Sequence, residues 1–186
     1  MSDDGQLLLD YARGGDVKAL SALVVAHERW LLAFLRGFTS SDQDAEDAFQ
    51  ETWMRVIKSC GSYRGGSVRA YLARIARSAA IDRFRWAGRP MESLDAVDDD
   101  GGSLSETLAD GAPSPAGVFE SAATSEDVRR AVRTLPRGPR EVLLMRIEGE
   151  LPFKEIADVL GVPLGTALTW MHTATVRLRK LLGGEK

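Results

Sequence analysis

The sequence predicts an all-α chain: two small helical domains joined by an extended acidic linker, the C-terminal domain containing a helix-turn-helix. Three observations predict it. Apolar residues recur at helical spacing on both sides of a central gap. The gap, from Gly88 to about Thr124, is rich in Glu, Asp, Ser, Gly, Ala and Pro, too polar and acidic to bury a core. Beyond it, a Gly-Val-Pro turn separates two amphipathic stretches. A length of 186 residues admits one domain or two small ones, and 44% apolar with 27% charged residues is ordinary soluble composition.

The elements follow in order. Residues Gln6 to Ala12 read as a short helix broken at Gly14-Gly15. Asp16 then caps a second helix with a broad apolar face of Leu20, Leu23, Val24, His27, Trp30, Leu31, Phe34 and Leu35. Ser41 and Asp44 have the spacing of a capping box and open a third helix to about Ser59, with Phe49, Trp53, Val56 and Ile57 inward. Asp44, Asp47 and Glu51 form an acidic ridge there with Gln50 beside it, a pattern that by itself also suits solvated surface and the helix dipole. The loop CGSYRGG, with Tyr63 and Arg64 among three glycines, is expected to be flexible and to let backbone approach a ligand.

The stretch SVRAYLARIARSAAIDRFRW is the most informative. Val68, Tyr71, Leu72, Ile75, Ala76 and Ala79 make its apolar stripe, while Arg69, Arg74, Arg77, Arg83 and Arg85 lie largely off it. Guanidinium groups there can neutralise phosphate, and Tyr71, Phe84 and Trp86 can stack on unpaired bases; a merely solvated basic face is the alternative. After the linker, Ser125 caps a helix with Val128, Ala131, Val132 and Leu135. Pro136 to Pro139 breaks it, Arg140 to Glu148 makes the next, and Phe153, Ile156, Ala157 and Leu160 mark the first helix of the helix-turn-helix. Ala167, Met171, Ala174, Leu178 and Leu181 form the expected buried stripe of the second, the helix that can enter a DNA major groove.

Charge is segregated. The chain carries −3 overall, yet residues 88–127 hold one base, Arg89, against ten acids, and residues 128–186 hold 11 Lys and Arg against six acids. Two neutral-to-basic blocks therefore flank an acidic strip. One cysteine, Cys60, excludes an internal disulfide and fits a reducing compartment as a passive thiol. His27 lies in an apolar face with no second ligand at useful spacing, so no metal site is assigned. There is no phosphate-binding loop, no Cys/His cluster and no nucleophile with an arranged base, so no catalytic residue, cofactor or enzyme activity is expected. The start MSDDGQ lacks a secretory pattern and no apolar run approaches the roughly 18 residues needed to span a bilayer, which points to a cytoplasmic chain without membrane insertion.

Taken together, DAEDAFQETWMRVIKSC, GSVRAYLARIARSAAIDRFR and TLPRGPREVLLMRIEGELPFKEIADVLGVPLGTA resemble the bacterial sigma factors of the extracytoplasmic-function group of the sigma-70 family. The resemblance implies an N-terminal sigma domain over 1–88, a linker over 89–124 that keeps the modules apart, and a C-terminal helix-turn-helix domain over 125–186. It implies core RNA polymerase (β′ clamp helices and β flap) and promoter DNA as partners, with an anti-sigma factor as a further one that no residue identifies. Asp44, Asp47, Gln50 and Glu51 would dock on the clamp helices. Ser62, Tyr63, Arg64, Arg69, Tyr71, Arg74, Arg77, Ser78 and Arg83 would engage the minus-ten strand. Arg137, Arg140, Lys154, Thr166, Thr169, His172, Thr173 and Arg177 would engage the minus-thirty-five element.

Two departures stand out. Ser78 occupies a position where Asn is common in such proteins, and the outward face of the recognition helix (Thr166, Thr169, His172, Thr173, Val176) contains no Lys or Arg. Leu168 and Trp170, where basic residues are usual, are either packed or offered to a protein. That neutrality leaves a second reading open: a sigma-like interaction protein that binds an anti-sigma factor or polymerase without reading promoters.

Overall fold

A computed structural model describes residues 3–86 and 125–183, with side chains at 3–83 and 126–183. The described residues form eight α-helices: α1 (Asp3–Gly14), α2 (Val17–Arg36), α3 (Asp42–Ser59), α4 (Val68–Trp86), α5 (Ser125–Thr134), α6 (Arg137–Ile147), α7 (Phe153–Leu160) and α8 (Leu164–Leu182), with a 3-10 turn over Cys60–Ser62. The linker expectation, and the side chains of Phe84, Arg85 and Trp86, lie outside the described residues.

Local chemistry sets the helix ends. The Asp16 carboxylate accepts from the Lys18 and Ala19 amides at 2.9 and 3.3 Å, capping α2. At the start of α3, Ser41 Oγ accepts from the Asp44 amide at 3.1 Å and donates to the Asp44 carboxylate at 2.7 Å. Helix α1 begins at Asp3 rather than Gln6, with Asp3 and Asp4 in the first turn where the helix dipole favours acids. Helix α6 begins at Arg137 and runs through Pro139, which was expected to act as a breaker. In the first helical turn a proline forfeits only an N–H that has no intrahelical partner. Gly161 (φ 70°) ends α7 in the left-handed region and bonds back to Ala157 O at 2.9 Å.

Helices α1 to α4 pack around Leu8, Leu23, Leu31, Phe34, Leu35, Val56 and Leu72, all buried. Helices α5 to α8 pack around Leu135, Val142, Met145, Ile156, Ala174 and Leu178. Ile57 and Leu181, expected to face inward, are instead 43% and 54% exposed; each lies near the C-terminal end of its helix.

The two halves are not held apart. Helix α7 lies on α4, and one contiguous apolar core joins both groups. Gly37 explains part of the fit: a Cβ there would meet the end of the Leu144 side chain, so any larger residue would force Leu144 to move where the α2–α3 corner sits on α6. Arg140 of α6 stacks 5.5 Å from the Phe38 ring centroid at the same corner. Periodicity identifies apolar faces, not which of them meet, and so it leaves this closure unread.

His27 is a core residue. It is 2% exposed, its Nδ1 accepts from Trp30 Nε1 at 2.8 Å, and its Nε2 lies 3.5 Å from Asp4. Burial holds the imidazole below its ordinary value of 6.5, against the opposing pull of Asp4. The unfolded chain therefore binds this proton more readily, and the stabilisation from the neutral ring, complete above about pH 6.5, is lost as pH falls through the lower folded value. Thermal melts from pH 7 to pH 5 are expected to show Tm falling, with a shallower fall in His27→Gln. Equal slopes in the two proteins would remove His27 from the account.

Candidate nucleic-acid and polymerase interface

Helices α3 and α4 pack antiparallel, which places the acidic ridge beside the basic helix. Arg83 reaches both Asp47 and Asp44, at 2.5 and 3.4 Å. Arg55 bridges Glu51 at 2.7 Å, Asp82 at 2.7 Å and Ser78 Oγ at 3.2 Å. These bonds, Glu51 first, push the Arg55 guanidinium further toward the charged form, against modest burial. Gln50 is exposed beside the ridge. All these pairs are partly solvated and worth at most about 1 kcal/mol each, so an external charge can replace an internal one at little cost.

The arginines of α4 have different surroundings. Arg74 is exposed. Arg69 donates to Gly149 O at 3.1 Å and Glu150 at 2.6 Å, with its guanidinium 6.0 Å from the Trp30 ring centroid. Arg77 donates to Glu141 at 3.0 Å. Sequence spacing places all of these off the apolar stripe, but only the structure shows which of them the C-terminal helices cover.

The glycine loop is more ordered than its composition suggests. Tyr63 is buried, its hydroxyl donating to Gly66 O at 2.8 Å and its ring packed 5.3 Å from that of Tyr71. Tyr71 in turn shares a 2.8 Å hydrogen bond with Ser59. Ser62 donates to Ser59 O at 2.7 Å and Arg64 to Gly61 O at 2.6 Å, both at the surface. Ser62, Arg64 and Arg74 are each exposed, whereas Tyr63 serves the core.

In the C-terminal half, α7, the Gly161 turn and α8 make the helix-turn-helix. Thr169 and His172 are exposed, and Thr166 and Thr173 half-buried, on one side of α8. Trp170 is packed, not offered: a Cβ on Gly138 would lie 2.7 Å from its ring. Lys154 is exposed on α7, and Arg177 is half-buried near the end of α8. Arg137, by contrast, is nearly sealed, with its Nε 2.9 Å from Glu141, and Arg140 faces Phe38.

Comparison with known proteins resolves what these two halves are. Sigma-70 region 2 matches residues 23–89 and Sigma-70, region 4 matches residues 125–178. An ECF RNA polymerase sigma factor SigE of Mycolicibacterium smegmatis is 30% identical over 172 residues, spanning 90% of this chain and 64% of its own length. The chain belongs to the sigma-70 family, in its extracytoplasmic-function group. The ECF RNA polymerase sigma-E factor of Escherichia coli K12 is 28% identical over 168 residues, 87% of this chain and 85% of that protein. Two solved structures share the fold at 22% identity. CnrH in complex with the cytosolic domain of CnrY has a TM-score of 0.71 over 99% of this chain and all of that one. The sigma factor RpoE bound to the anti-sigma factor NepR from Bartonella quintana has 0.68 over 91% of this chain and all of that one.

Regions 2 and 4 meet at a charged seam that sequence reasoning missed. Glu141, 2% exposed, accepts from Arg77 of region 2 at 3.0 Å and from Arg137 of region 4 at 2.9 Å. One carboxylate between two guanidinium groups satisfies its oxygens and leaves the trio a net positive charge. A signal for it exists in the sequence. Val142, Leu143, Leu144 and Met145 are consecutive apolar residues on α6, so that helix is surrounded, and a glutamate at its start needs a cationic partner.

Proposed function

We propose that this sigma-70 family member directs core RNA polymerase to promoters, and that it contributes no catalytic group of its own. Asp44, Asp47, Gln50 and Glu51 dock on the β′ clamp helices. Ser62, Arg64, Arg74 and Ser78 engage the separated minus-ten strand, joined by Arg69, Arg77 and Arg83 once these exchange internal carboxylates for phosphate. The helix-turn-helix reads the minus-thirty-five element next to the β flap. The chain works in the cytoplasm; among the described residues no helix is long and apolar enough to cross a membrane. The observation that supports this reading is the α3–α4 pair, in which the acidic ridge and the basic helix lie side by side and share Arg83, so that a partner captured by one would stand next to a strand held by the other.

Start mapping of transcripts made by core polymerase with the full chain tests it directly. Arg74→Ala is the informative variant, because this exposed arginine can be removed without opening the seam. It is expected to reduce promoter opening and lower the salt slope by about one, with polymerase affinity retained. Unchanged opening and slope would remove Arg74 from the interface. The second reading, a sigma-like protein that binds an anti-sigma factor or polymerase without reading promoters, draws on the neutral α8 face; it predicts partner binding with no initiation from any template.

A further inference from the structure

From Leu164 to Val176, α8 contains no Arg, Lys, Asn, Gln, Asp or Glu. The side chains that read guanine or adenine bidentately in a major groove, or accept from cytosine, are therefore all missing. Two of the three threonine hydroxyls on the outward face are turned to the helix's own backbone. Thr169 Oγ1 donates to Gly165 O at 3.0 Å, and Thr173 Oγ1 donates to Thr169 O at 3.1 Å. At Thr169 and Thr173 the hydroxyl proton is spent on the helix's own backbone, and the methyl is the apolar group left for a ligand. Exposed cations lie at both margins, Lys154 on α7 and Arg179 and Lys180 at the end of α8. They suit phosphates on either side of a groove.

We infer that α8 reads thymine, through contact of the Thr169 and Thr173 methyls with C5-methyl groups in the major groove. Thymine is the one base that presents an apolar group there, and it is the base feature that the Thr169 and Thr173 methyls can recognise. His172, exposed between the two threonines in sequence, supplies a single polar contact. The inference rests on the promoter-reading function proposed above and specifies its substrate: a thymine-rich upstream element instead of a guanine-anchored one.

The test uses the full chain with core RNA polymerase and linear duplexes randomised over the upstream element. Selection for open complexes should enrich thymines at adjacent positions. The best selected duplex is then rebuilt with deoxyuridine for thymidine at those positions alone, which removes the methyls and preserves base pairing. Open-complex formation is expected to fall about fourfold per methyl contacted. Thr173→Ser, which keeps the hydroxyl and removes the methyl, should show a similar loss on the thymidine duplex and add little on the deoxyuridine one, whereas Thr173→Val should retain discrimination. Equal initiation from the two duplexes, or enrichment of an element without thymine, overturns the inference while leaving the sigma function standing. Initiation with no upstream enrichment also overturns it and assigns the α8 face to a protein partner. If no duplex supports initiation, the sigma function falls, and this inference with it.

Discussion

Replacing Glu141 with alanine is expected to open the molecule. The substitution leaves Arg77 and Arg137 facing each other across the seam without the carboxylate between them, at side-chain exposures of 23% and 13%. Removing one partner from a buried ionic group costs about 3 kcal/mol at the lower end of the usual range. In a chain of this size that is a fall in Tm of about 10 °C. Small-angle scattering should show a larger radius of gyration, because what remains between the halves is apolar contact, including Leu144 against Gly37 and α7 on α4, with the Arg140–Phe38 stack and the Arg69 bonds to Gly149 and Glu150 at the surface. Arg77 is then available to phosphate, so affinity for single-stranded DNA should rise as compactness falls. Glu141→Gln, which keeps the shape and one acceptor, should show a smaller version of both effects. A variant with unchanged Tm and unchanged dimensions would mean that the trio contributes nothing to closure.

Reversing charge at Asp47 and Glu51 together, to lysine, should weaken capture of core polymerase roughly tenfold or more, since like charges set against each other at an interface cost several kcal/mol. The folded chain should tolerate the change. Both acids are partly exposed, and their internal pairs with Arg83 and Arg55 are of the low-value surface kind. Circular dichroism and a melt separate misfolding from lost docking. A well-folded double variant that still binds core polymerase with native affinity would return the ridge to solvated surface.

What could be read from the sequence was governed by distance along the chain. The Ser41–Asp44 box, the Asp16 cap and the Gly161 turn are relations within a few residues, and each is present where spacing placed it. The neutral face of α8 is equally local, because one helical repeat fixes which side chains share a side. Arg77 and Glu141 are separated by 64 positions, and a helical wheel gives the direction of Arg77 without saying what stands in front of it. The same limit explains Tyr63. Glycines on either side suggest a mobile loop, but its ring has Tyr71 to pack on and its hydroxyl has the Gly66 carbonyl, so a residue expected at the DNA belongs to the core. Trp170 was open between packing and display, and the absence of a side chain on Gly138 decides for packing.

The position of Arg83 has an effect on the order of events. This guanidinium is the counterion of Asp47 and Asp44, and it lies on the helix proposed to hold a nucleic-acid strand. It cannot serve both at full strength. A cationic protein that takes the two aspartates sets Arg83 loose for phosphate; a phosphate that takes Arg83 strips the aspartates of their shield and makes them better bait for a cation. Two visitors on neighbouring helices thus share one ion, and each raises the other's yield by the same factor.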